Sequence, residues 1–166
     1  METSFTGGIT TPRRIAFFLT LLACSMLVQA APKEDAQAAY GKFFTSFTTG
    51  NHEEVVALFA PDALFYGTGS PEVVTTTEGV RQYFTRALAG PGRRAIPLEN
   101  TALLLSDNAV AISGKWQSVR VLDGKEVIGA PARNTVVMQK RGDRWLIVQF
   151  HNSPTPKPPA SAAPAR

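Results

Sequence analysis

The chain has 166 residues, 44% hydrophobic and 18% charged, with a formal charge of +4. This composition suits one modest globular domain. The positive residues are dispersed, with no basic stripe interleaved with aromatics, which argues against a nucleic-acid partner.

At the N-terminus, Arg13-Arg14 precede an apolar run over residues 15–28. That run is shorter than the ~20 residues a membrane span needs. Val28-Gln29-Ala30 then offers a signal-peptidase site. Residues 1–30 are therefore expected to be a signal peptide cleaved after Ala30, residues 31–153 the folded domain, and residues 154–166 a flexible Pro/Ala-rich tail. The expected location is periplasmic or secreted, with no stable membrane span in the mature protein. Plain export is preferred over a twin-arginine route or the lipoprotein box at Leu21-Leu22-Ala23-Cys24. The single cysteine, Cys24, falls in this leader. The mature chain thus lacks disulfides, thiolate metal sites and cysteine nucleophiles. Losing Glu2, Arg13 and Arg14 lowers the charge to about +3.

Residues 32–49 carry Ala36, Ala39, Tyr40, Phe43, Phe44 and Phe47 at helical spacing, and Gly50-Asn51 ends this first helix. A second short helix is expected with Glu53 and Glu54 in its first turn and Val55, Val56, Leu58 and Phe59 buried; Ala60-Pro61-Asp62 breaks it. Residues 63–66 read as a strand and 67–71 as a loop. Thr77 is the expected cap of a third helix over 78–88, stopped by Gly90-Pro91-Gly92. The period then falls to two. Strands are expected over 95–106, 109–122, 127–140 and 144–153, with turns at Asp107-Asn108, Asp123-Gly124-Lys125 and Gly142-Asp143. Helices followed by a hairpin-linked sheet predict an α+β fold.

The segment from Thr49-Gly50-Asn51 through Val55-Val56-Ala57-Leu58-Phe59-Ala60-Pro61-Asp62-Ala63 resembles the opening of NTF2-like proteins, including ketosteroid isomerases and SnoaL-type cyclases. The ending is more specific: Thr135-Val136-Val137, Lys140-Arg141-Gly142-Asp143-Arg144-Trp145, Ile147-Val148 and Phe150-His151-x-Ser153. It is similar to the association domain of calcium/calmodulin-dependent protein kinase II and its exported bacterial relatives. The resemblance spans roughly residues 36–156. It implies three N-terminal helices packed in a curved, mostly antiparallel sheet, the NTF2-like cone, with a pocket and a habit of self-assembly. By the same comparison, the base aspartate of ketosteroid isomerase falls at Gly67 and its oxyanion tyrosine at Phe43, so that activity is not expected. The arginines of the kinase-domain pocket fall at Gln117, Val136 and Asn152, so its anion cluster does not carry over.

The candidate ligand-binding set is Tyr66, Tyr83, Gln117, Arg133, Asn134, His151 and Asn152; within it Gln117, Asn134 and Asn152, closed by Tyr66 and Tyr83, are expected to enclose an uncharged hollow suited to a neutral or aromatic small molecule. Strand parity puts His151 opposite Asn152, beside Trp145, Ile147 and Gln149 on the outer face. With Trp116, those apolar residues would form a patch covered by a second copy of the chain, a homodimer or higher oligomer. His52 and His151 are the only histidines and lack ligand spacing, so neither metal nor cofactor is expected. Catalytic residues are unassigned. The alternatives are an isomerase, cyclase or dehydratase acting on a carbonyl compound, with Asp62 or water moving protons, and a pure association module.

Overall fold

A computed structural model describes residues 1–2 and 31–156. The expected leader lies almost wholly outside the described residues, as does most of the expected tail.

Helix α1, Pro32–Thr49, starts with Pro at a position where the missing N–H costs nothing, and carries Glu34 and Asp35 in its first turn. Gly50 ends it with φ 75°, a left-handed conformation that glycine adopts without strain. Helix α2, His52–Val56, is capped by the Asn51 side chain, which accepts from the Glu54 N–H at 3.2 Å. It stops earlier than its apolar pattern suggests. The Leu58 carbonyl accepts from the Ile147 N–H at 2.8 Å, and Phe59 enters strand β1, Phe59–Tyr66. Pairing with a distant strand thus overrides the local helical spacing. Pro61, which cannot donate to a ladder, sits where the register of this edge strand shifts. Helix α3, Thr77–Ala87, is capped by Thr76, which accepts from the Gly79 N–H at 3.1 Å. Thr77, the expected cap, is instead the first helical residue.

The remaining strands are β2 (Arg94–Ser106), β3 (Ala109–Leu122), β4 (Lys125–Ile128), β5 (Ala132–Arg141) and β6 (Arg144–Pro154). Their order is β1-β6-β5-β3-β2, with β4 also on β3; β1 runs parallel to β6 and every other pair is antiparallel. The single strand expected over 127–140 is two. The Gly129 N–H bonds the Ser118 carbonyl at 2.7 Å, and the chain leaves the ladder through Ala130 and Pro131 before rejoining it as β5. This break and the register shifts in β2 and β6 bend the sheet around the helices.

The core between helices and sheet is aromatic. Phe150 lies 5.4 Å from both Phe43 and Phe65 and 5.9 Å from Phe59, centroid to centroid. One shift in β6 corrects a sequence expectation. Gln149 pairs with Val137 but Ile147 pairs with Met138, leaving Val148 as an extra residue. Side-chain alternation therefore slips by one, and Trp145 and Ile147 share the inward face of Phe150. Trp116 is also inward, against Phe43, Phe44 and Phe47. All three are buried, so none belongs to an exposed outer patch.

Candidate functional site

Between α1, α3 and the concave face of the sheet lies a cavity of about 380 Å³, in the size range of small-molecule sites. Phe43 and Phe47 from α1, Tyr83 and Phe84 from α3, Trp116 from β3 and Phe150 from β6 form its walls. Ala130, Pro131 and Ala132 close one side, a direct consequence of the break between β4 and β5.

Its polar end is a hydrogen-bonded chain. The Trp116 indole N–H donates to Asn152 Oδ1 at 2.9 Å, and Asn152 Nδ2 donates to Thr68 Oγ1 at 2.6 Å. This fixes the amide orientation, because an indole can only donate. Tyr83 stands over Gly67: a β-carbon built there would lie 2.5 Å from Tyr83 Cζ. No side chain fits at residue 67 while Tyr83 keeps its place, so the cavity has no room for a carboxylate at that position. Burial, the larger cause, raises the Tyr83 phenol above its ordinary value, while the Gly69 N–H opposes the shift.

Of the expected residues, the structure brings Tyr83 and Asn152 to this cavity. Asn134 is buried on the same face but deeper, donating from Nδ2 to the Tyr40 hydroxyl at 2.7 Å. Gln117 follows the inward Trp116, pairs with Ile96, and by alternation turns away. Tyr66 follows the fully buried Phe65 and is outward for the same reason. It stacks on His151 at 5.6 Å rather than closing the cavity. Arg133 is exposed, and its Nε donates to Ser153 Oγ at 3.1 Å. Arg133, His151 and Ser153 share a shallow outer cleft with Ser113 and Thr135. Asp62 is exposed and paired with Arg141 at 2.6 Å, away from the cavity, so it has no base role there. Arg141, the larger cause, holds its carboxyl below the ordinary range.

The sequence reading missed Thr68, Trp116 and Arg93. Trp116 was recoverable, since it continues the alternation of the buried Val110 and Ile112 across Gly114. Arg93 and Thr68 come from loops and left no periodic signal. Arg93 also corrects the expectation of an uncharged hollow. A second, wider groove of about 620 Å³ lies on the other flank of α1, between Tyr40, Phe44 and Pro97. It lacks the enclosing aromatic walls of the first.

Known proteins place this architecture. A protein from Xanthomonas campestris, provisionally described as a calcium/calmodulin dependent protein kinase II association domain, is 30% identical; the match covers 73% of this chain and 86% of that one, with a TM-score of 0.67. An NTF2-like protein with a cystatin-like fold from Novosphingobium aromaticivorans matches at 14% identity over 80% of this chain and 86% of its own, with a TM-score of 0.65. A protein from Streptomyces avermitilis, provisionally described as a dehydratase of the NTF2-like family, matches at 16% identity over 75% and 97%, also with a TM-score of 0.65. The latter two share its fold. No curated protein sequence matches the chain. The family model for the SnoaL-like domain covers residues 36–157. With the aromatic core, the cone and this match in agreement, the chain belongs to the SnoaL-like family of NTF2-like proteins.

Proposed function

We propose that this protein is exported and binds a small aromatic organic molecule in the cavity between α1, α3 and the sheet. The observation that carries this reading is the cavity itself: aromatic walls around one ordered Trp116–Asn152–Thr68 chain. Apolar walls supply affinity and a few fixed polar atoms supply orientation. Among the described residues lining it there is no carboxylate and no imidazole. Proton transfer at neutral pH usually relies on such groups, so binding is favoured over isomerase or dehydratase chemistry.

Self-association belongs to the same proposal, on different residues from those the sequence suggested. Leu64, Gln149, Val137, Ala111 and Leu103 are successive ladder partners across five strands of the outer face. Leu64 is 50% exposed and Leu103 64%. Tyr66, His151, Thr135, Ser113 and Thr101 form the adjacent row. Two contiguous uncharged rows suit the face of a second copy.

A thermal-shift screen of indoles, naphthols and phenylalkanols tests the cavity. Hits should raise the melting temperature of the full chain and lose that effect in Ala87→Phe, which fills the space beside Phe84. Hits that persist undiminished in a folded Ala87→Phe variant would place binding elsewhere.

A further inference from the structure

Resting on that cavity, we infer that its ligand is an aromatic carboxylate, held at the charged end by Arg93 and at the neutral end by Asn152 and Thr68. Arg93 is the one charged side chain lining the cavity among the described residues. Its position follows from the turn that precedes it. Gly90 and Gly92 adopt φ of 96° and 64°, and a β-carbon on Gly92 would run into the Val121 side chain. The loop is therefore pressed against β3, where only glycine fits, and the next residue is delivered to the cavity.

The guanidinium is also oriented. Its Nε donates to the Ala89 carbonyl just beyond the end of α3, at 2.6 Å. That bond leaves the two terminal nitrogens of the fork, the pair that grips a carboxylate. Among the described residues, no carboxylate lies within ion-pair distance of Arg93. The adjacent Arg94 holds Glu126 at 2.7 Å and so commits the acidic group of β4. Arg86 adds a second cation near Tyr83, whose phenol feels its charge. A partly exposed guanidinium beside aromatic walls, with no acidic partner among the described residues, is available to pair with an anionic ligand. Asn152 selects differently. Asn152 Oδ1 is taken by Trp116, while its amide nitrogen has one hydrogen beyond the bond to Thr68. A carbonyl or hydroxyl oxygen on the far side of the ring would receive it.

The test uses acid–amide pairs: 3-phenylpropionate with 3-phenylpropanamide, and indole-3-acetate with indole-3-acetamide. Each is titrated into the full chain by calorimetry, alongside Arg93→Gln and the cavity-filling Ala87→Phe. The acids should bind at least about 10-fold more tightly than the amides, as a charge-assisted hydrogen bond predicts. Arg93→Gln should erase that preference by weakening the acids far more than the amides, and KCl at about 0.5 M should likewise weaken mainly the acids. Equal binding of acid and amide by the unaltered protein, or a preference that survives Arg93→Gln, would overturn the role of Arg93 while the cavity reading stands. Binding of neither class, or binding unchanged in Ala87→Phe, would overturn both.

Discussion

The two faces of the sheet are built from the same strands, one residue out of step, and follow opposite rules. On the inner face, most buried polar groups have fixed partners, Trp116 with Asn152, Asn152 with Thr68 and Asn134 Nδ2 with Tyr40, while Asn134 Oδ1 and Trp145 Nε1 have none. On the outer face, Arg133, His151 and Thr135 are exposed and water can satisfy them. A buried polar group left without its partner bears its full desolvation cost, whereas an exposed one turns to solvent. Neighbouring residues such as Phe150 and His151 should therefore differ in consequence far more than in position.

The largest expected effect tests that contrast directly. Phe150→Ala should destabilise the fold by about 3–5 kcal/mol in urea unfolding, and His151→Ala by less than about 0.5 kcal/mol. Similar costs for the two would break the comparison. Next come the inner polar pairs. Asn152→Ala, which strips the Trp116 N–H of its acceptor, should cost about 1–3 kcal/mol, and Tyr40→Phe, which strips the Asn134 amide, a similar amount.

Tyr40 also has a signature in alkali. Burial, only partly opposed by the Asn134 bond, raises its phenol well above the ordinary 10.0. The folded state then keeps a proton that the unfolded chain releases. Its contribution to stability is complete below pH 10 and is lost as pH rises beyond it. Tyr40→Phe should flatten that alkaline loss, with Tyr83 supplying the remainder; an unaltered slope would mean Tyr40 is not protected by burial.

On the outer face, Leu103→Lys should leave unfolding within about 0.5 kcal/mol of the parent. Sedimentation should nevertheless show it shifting toward monomer, and a parent that is monomeric at high micromolar concentration would remove the assembly proposal. The smallest effect belongs to the exposed Asp62–Arg141 pair. Its lowered carboxyl pKa contributes stability above the ordinary value of 3.8 that is lost as pH falls below it. Asp62→Asn should flatten this acid-side slope and, because the pair is exposed, lower the neutral-pH melting temperature only slightly.

Much of the scaffold was readable along the chain because its signals are local. Apolar spacing places α1 and the core of α3, glycine ends α1, and two-residue turns separate the long strands. Reading failed where a distant partner decided. Pairing with β6 drew Phe59 out of its helix, and the extra Val148 reversed the parity of Trp145 and Ile147. The site was less readable than the scaffold for the same reason. Asn152 and Tyr83 lie on regular elements whose inward side follows from periodicity. Tyr66 and Gln117 were assigned to the wrong face because no local rule ties one strand's phase to the next.

By itself the sequence determined the element types, the aromatic core and the α+β class, since each depends on spacing within one segment. Only the tertiary structure decided which polar groups meet and where the chain leaves the sheet to open the cavity. It also decided that a glycine turn pressed against Val121 carries Arg93 into that space. Those outcomes depend on the packing of segments far apart in sequence, which no single window encodes.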